Sequence, residues 1–282
     1  MRSSLSALTH CPHGLARLTL GLTVAALTLG VAAPASGATA PLSPPPNSHG
    51  ITMNAGQQSG PVTPSGSVDP QATRTLGMDV SNFDGNVNWG QAVKDGAKFA
   101  YIEATDGTGF ASPFFAQQYN GSYHAGLIRG AYHFARPNGA SGATQADFFI
   151  AHGGGWSKDG KTLPGVLDLE AQPSSEGPAC YRRSAAQIVA FATSFINEYH
   201  KREKTYPVIY TGRGFWDQCV GNAGSFASKD PLFLASWGSA PGTLPHNWNF
   251  YTFWQFASSG RLPGDQDYFN GDEARLKALA VG

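Results

Sequence analysis

The chain of 282 residues is poor in charge: 19 basic and 19 acidic residues cancel, and charged positions make up only 13% of it. No run of Lys or Arg follows the N-terminal twenty residues, so the electrostatic footprint of a nucleic-acid binder is missing and no such partner is expected. His-x-His and His-x-x-x-His spacings are absent as well, which removes the usual helical and strand-borne zinc motifs, and neither a metal nor another cofactor is expected. Long apolar runs are scarce. The stretch from Leu18 to Val31 falls short of the about 20 residues of a membrane span, and none of comparable length follows it, so no membrane partner is expected. Cysteine is rare too, with three in the chain. There is no internal repeat.

What is present divides the chain in three. Arg2 and Arg17 precede the apolar stretch, which ends in Ala32-Ala33-Pro34-Ala35-Ser36-Gly37-Ala38, the layout of a secretory leader over residues 1–38. Residues 39–75 are rich in Pro, Gly, Ser, Thr, Asn and Gln, and cannot bury enough apolar surface to offset the entropy of ordering, which reads as a spacer or pro-region. Residues 76–282 carry the bulky aromatics of one well-filled domain. The mature protein is therefore expected outside the cell. Removal of the leader takes Cys11 with it and leaves Cys180 and Cys219, for which a disulfide is the expected state and free or metal-binding thiols the alternative.

Within 76–282, apolar strand-like runs alternate with helical patterns, as in parallel βα units. Strands are predicted at Leu76–Val80, Lys98–Ala104, Leu127–Phe134, Gly165–Glu170, Tyr206–Tyr210, Leu232–Trp237, Tyr251–Phe256 and Asp267–Phe269. Helices are predicted at Trp89–Lys94, Phe114–Ala125, Thr144–His152 and Ser184–His200. In the last of these, Ile188, Phe191, Ala192, Phe195 and Tyr199 form one face behind a Ser cap. Eight runs predict an α/β fold, an irregular, TIM-like (β/α) barrel. Its second half is thinner, because the intervals after Tyr210 are short and rich in Gly and Pro.

The carboxyl ends of barrel strands line the reactive face. Read off in order, they supply Asp79, Glu103, His133, Asp168 with Glu170, Tyr210, Trp237, Trp254 with Gln255, and Asp267. The pair in Asp168-Leu169-Glu170 is the most telling. Strand alternation turns Val166, Asp168 and Glu170 to one side and Leu167 and Leu169 to the other, and two acids sharing a space keep at least one proton. Carboxylates for proton transfer together with aromatic faces for sugar rings fit glycoside hydrolysis better than phosphate chemistry, which needs a cradle or a Lys/Arg clamp. For Trp237, Trp254 and His133, a place in the core is the competing reading.

Four segments carry a resemblance: Gly77-Met78-Asp79-Val80-Ser81; Gly130-Ala131-Tyr132-His133-Phe134; Gly165-Val166-Leu167-Asp168-Leu169-Glu170; and Trp254-Gln255-Phe256 followed by Asp265-Gln266-Asp267. They resemble, in order and spacing, the family 25 glycoside hydrolases, the secreted or phage-type lysozymes. The resemblance implies a muramidase that cuts the β-1,4 bond between N-acetylmuramic acid and N-acetylglucosamine in bacterial peptidoglycan; a monomer is expected. It implies Glu170 as general acid, with Asp168, Asp79 and Asp267 as the other catalytic acids. Tyr132, His133, Tyr210, Trp237, Trp254 and Glu103 are the expected substrate contacts, and Cys180–Cys219 is the disulfide of the family's secreted bacterial members. Where the family's second-strand motif often has Lys, this chain has Glu103, whose charge would raise neighbouring acids if it faces the cleft and do nothing on a solvated rim. A glycan-binding barrel without catalysis is the alternative function.

Overall fold

The computed structural model describes residues 73–282; the predicted leader and all but the end of the predicted spacer lie outside the described residues, and Thr75 already belongs to the first strand. The strands are β1 (Thr75–Val80), β2 (Phe99–Asp106), β3 (Phe110–Ala111), β4 (Ile128–Phe134), β5 (Val166–Asp168), β6 (Val208–Gly212), β7 (Leu232–Ala235), β8 (Phe253–Ala257) and β9 (Asp265–Phe269). The sheet runs β1-β9-β8-β7-β6-β5-β4-β2, and β1 pairs with β2 to close it into an eight-stranded barrel. All of these pairings are parallel except those of β9, which is antiparallel to both β1 and β8. β3 is a short hairpin appended to β2.

Helices α1 (Trp89–Lys94), α2 (Phe115–His124), α3 (Gly142–Phe149) and α4 (Ala185–Glu203) cover the first half of the barrel. The best defined is α4. Ser184 and Gln187 form a reciprocal capping box, and Ile188, Phe191, Ala192, Phe195, Ile196 and Tyr199 are buried along one face against Leu167 and Leu169 of the barrel wall. Each of the Ile and Phe side chains contributes about 1.5–3 kcal/mol of burial. In the second half, only the short α5 (Arg213–Phe215), continued by a wider helical turn to Val220, follows β6. No helix joins β7 to β8 or β8 to β9, as the Gly- and Pro-rich intervals predict.

The lumen is filled from the inward half of each strand's alternation, with Phe99, Tyr101, Val166, Val208, Phe233, Phe253 and Phe269 packed together. Small residues make room for large ones: a Cβ on Gly77 would lie 2.3 Å from the Phe99 ring, and one on Gly130 would lie 2.3 Å from the Tyr101 ring. A C-terminal helix, α6 (Glu273–Val281), was not among the predicted elements. It starts at the Asp272 cap and places Leu276 and Ala280 in the same cluster as Phe99, Ile128, Phe253 and Phe269, which closes the end of the barrel away from the carboxyl ends of the parallel strands.

Candidate active site

The open end of the barrel holds a pocket lined by Asp79, Asp168, Glu170, Asp265, Gln255, Tyr132 and Tyr210, with Tyr101, Val166 and Phe233 as its floor. Most of the acids come from strand ends, as the barrel architecture demands. The β5 ladder stops at Asp168; Glu170 stands just beyond it, on the same side, while Leu167 and Leu169 enter the outer apolar layer.

Taking these acids out of water dominates their ionisation. Burial raises Glu170 well above the usual carboxylate range, the charges of Asp265 and Asp79 push the same way, and Arg136 opposes them. Asp168 is likewise raised well above that range, by burial first and then by Glu170, Asp79 and Glu103. Asp79 is raised by burial to about 6, with hydrogen bonds from Gln255 and Asp267 pulling it down. The Gln255 Nε2 donates to Asp79 Oδ2 at 2.9 Å.

Asp267 lies one inward position deeper, is fully buried, and has no hydrogen-bond donor facing either carboxyl oxygen. Burial, Asp79 and Asp265 all raise it well above its ordinary value. The acid at the mouth is Asp265 instead, pushed to about 8 by burial and by the charges of Asp79 and Asp84. On the sequence the last strand is predicted to start at Asp267, with Asp267 as the C-terminal acid; it starts two residues earlier, at Asp265. Because β9 runs antiparallel to β1, its first residue faces the cleft, and the register sets Asp265 opposite Asp79 and Asp267 opposite Gly77.

The remaining expected contacts separate by strand alternation. Tyr132 and Tyr210 line the pocket. Trp237 is half-buried just past β7, and its Nε1 donates to Gln255 Oε1 at 2.9 Å. Glu103 points inward and is 1% exposed, which excludes the solvated rim; it accepts bonds from the backbone N and side-chain Nδ2 of Asn82 at 2.9 and 3.2 Å, and its charge bears on Asp168 and Tyr132.

Two further expectations are corrected. His133 follows the inward Tyr132 and therefore faces outward: it is 0% exposed, stacks on Phe195, and bonds Thr105 through Nδ1 (2.8 Å) and Gln145 through Nε2 (2.9 Å). The Gln145 Oε1 only accepts, so Nε2 carries the proton and Nδ1 accepts from the Thr105 hydroxyl. Burial lowers this histidine to about 4, and it stays neutral. Trp254, next to the inward Gln255, also faces outward, packing against Tyr251, Phe256 and Tyr268 with its Nε1 on the Ser236 carbonyl. Neither touches the cleft.

The loop that carries Glu170 away from β5 is tied down on both sides. Cys180 and Cys219 form a disulfide with Cα atoms 5.3 Å apart, joining this loop to the segment after β6. Arg136, after β4, pairs with Asp106 and with Glu176 in the same loop, and Tyr181 donates to the Ala135 carbonyl. Among the described residues, no three His, Cys, Asp or Glu side chains gather as a metal site requires, and no helix is long and apolar enough to cross a membrane.

Residues 78–265 match the family described as Glycosyl hydrolases family 25. The chain is 41% identical to Lysozyme M1 of Streptomyces globisporus over 95% of this chain and 92% of that one. It is 46% identical to the N,O-diacetylmuramidase of Chalaropsis sp over 73% of this chain and 99% of that one. Among solved structures, a family 25 lysozyme from Aspergillus fumigatus superposes with a TM-score of 0.72 at 46% identity, covering 74% of this chain and all of that one. The matched span runs from β1 to the first residue of β9 and so contains every acid of the mouth, which agrees with the barrel topology in making this chain a member of glycosyl hydrolase family 25.

Proposed function

We propose that the protein is a secreted, monomeric muramidase that hydrolyses the β-1,4 bond between N-acetylmuramic acid and N-acetylglucosamine in bacterial peptidoglycan, with residues 76–282 as the catalytic domain. The observation that carries this reading is the pair Asp168 and Glu170 in the barrel mouth opposite Asp79, with the Glu170 carboxyl pushed well above the usual carboxylate range by burial and its acidic neighbours. Relatives named lysozyme and N,O-diacetylmuramidase, matched over nearly their whole length, support the substrate class.

In this reading Glu170 is the general acid that protonates the departing glycosidic oxygen. Asp79, raised to about 6, supplies negative charge as the anomeric carbon becomes positive, and Asp168 bears on the substrate from the end of β5, two residues before the acid. Tyr132, Tyr210 and the edge of Trp237 offer the sugar its aromatic contacts. The test is a suspension of purified bacterial walls. Wild type lowers its turbidity, and Glu170→Gln, correctly folded, lowers it about 10²- to 10⁴-fold more slowly; equal rates would remove Glu170 from the role.

A further inference from the structure

Gln255, a strand-end residue beside Trp254 and part of the Trp254-Gln255-Phe256 segment, has both ends of its amide engaged in the barrel mouth. Its Oε1 receives two hydrogen bonds, from the Tyr210 hydroxyl and from the Trp237 indole, both at 2.9 Å, and its Nε2 donates to Asp79 at 2.9 Å. An indole N–H only donates, so the atom it meets is the amide oxygen, and the two-fold choice of amide orientation is settled from the rim of the cleft. The other end of the amide is left with one direction, toward Asp79.

Asp79 needs such a donor. It is faced by Asp265 and Asp267 from β9, Asp168 and Glu170 from β5 and the loop after it, Asp84 from the turn after β1, Tyr132 from β4 and Tyr210 from β6. Among the described residues no cation lines the pocket, and Arg136, which acts on Glu170, is paired with Asp106 and Glu176. We propose, resting on the muramidase reading, that Gln255 is a positioning residue that holds the Asp79 carboxylate in place and charged for the reaction, its own orientation fixed by Tyr210 and Trp237.

Gln255→Met keeps the length of the side chain and removes both amide groups.

The experiment is a carboxyl-¹³C NMR titration of Asp79 in the mature protein, run beside kcat/KM against pH on soluble peptidoglycan glycan chains. In Gln255→Met the Asp79 midpoint rises by about one to two pH units, the scale of a lost hydrogen bond to a charged group, and the acid limb of the activity profile rises with it. The double variant Tyr210→Phe, Trp237→Phe, which leaves Gln255 in place, moves the midpoint the same way by a smaller amount. It also carries the test if the Met variant does not fold. A midpoint unchanged in whichever of the two folds overturns the proposal. The titration does not require turnover, so an inactive wild type would strike the muramidase reading and leave this inference to be judged by the midpoint alone.

Discussion

Asp265 stands directly across from Asp79 in the antiparallel pairing of β9 with β1, at the level of the strand ends where the cleft opens. Two acids at that separation across a ladder cannot both ionise without cost, and Asp265 takes the larger rise, to about 8 against about 6 for Asp79. After burial, Asp265 is also the strongest influence raising Glu170. The acids therefore titrate as a group.

Asp265→Asn follows from that relationship. A general acid works while protonated, so the alkaline limb of kcat/KM reports its loss of a proton, and removing a neighbouring negative charge brings that loss to lower pH. The limb is expected to move down in Asp265→Asn and to stay near its wild-type position in Glu103→Gln, because Glu103 is bonded to Asn82 and bears on Asp168 rather than on Glu170. Equal shifts in the two variants would contradict the assignment of Asp265.

His133→Phe tests the outward placement of that residue. The replacement keeps the stacking on Phe149 and Phe195 but gives up the bonds to Thr105 and Gln145, at a cost of about 1–2 kcal/mol. KM is expected to stay within about twofold of wild type while the melting temperature falls. The histidine is lowered to about 4 from its ordinary 6.5, so the unfolded chain binds a proton first and wild-type stability is lost as pH falls from 6.5 toward 4; the variant lacks that slope. A large rise in KM with unchanged stability would place His133 in the cleft after all.

Asp230 gives the opposite sign. Its Oδ1 is buried without a partner, and burial raises the carboxyl to about 7 in spite of Lys229. Between about pH 4 and pH 7 the folded protein holds a proton that the unfolded chain has released, so this group's contribution to stability is full below pH 4 and is lost as pH rises through 7. Asp230→Asn should match wild type in melting temperature near pH 4 and exceed it at pH 8. A constant difference across the range would show that the carboxyl is not the cause.

Reduction of Cys180–Cys219 frees a loop spanning 39 positions, which in the chain-entropy account removes about 4 kcal/mol. For a folded part of this size that is a fall of about 10 °C in melting temperature. Since the disulfide anchors the loop after Glu170, differential alkylation before and after reduction, followed by a thermal scan, reads both the bond and its effect. Two thiols that alkylate in the native protein would refute it.

The sequence made the walls of the barrel legible and its polarity less so. Helix α1 forms as predicted, over Trp89–Lys94, behind an Asn88 cap, and α4 begins behind Ser184, because an amphipathic stripe behind a side-chain cap has little competition from other structures. Strand alternation is symmetrical under reversal, so Asp265-Gln266-Asp267 reads the same in either direction. The available signal was length: seven residues separate Ala257 from Asp265, too few for a parallel crossover. His133 and Trp254 were misplaced for a related reason. Each sits beside an inward residue, Tyr132 and Gln255, and a period of two admits only one of each pair to the cleft. Helix α6 was announced by Asp272 as its cap, but its stripe is thin, with only Leu276 and Ala280 buried.

The reducing end of the released glycan tests the central claim most directly. Purified peptidoglycan digested with the mature protein, reduced with borohydride and analysed by mass spectrometry should yield fragments ending in reduced N-acetylmuramic acid, and Glu170→Gln should yield almost none. Fragments ending in reduced N-acetylglucosamine, or free peptides with intact glycan strands, would contradict the account.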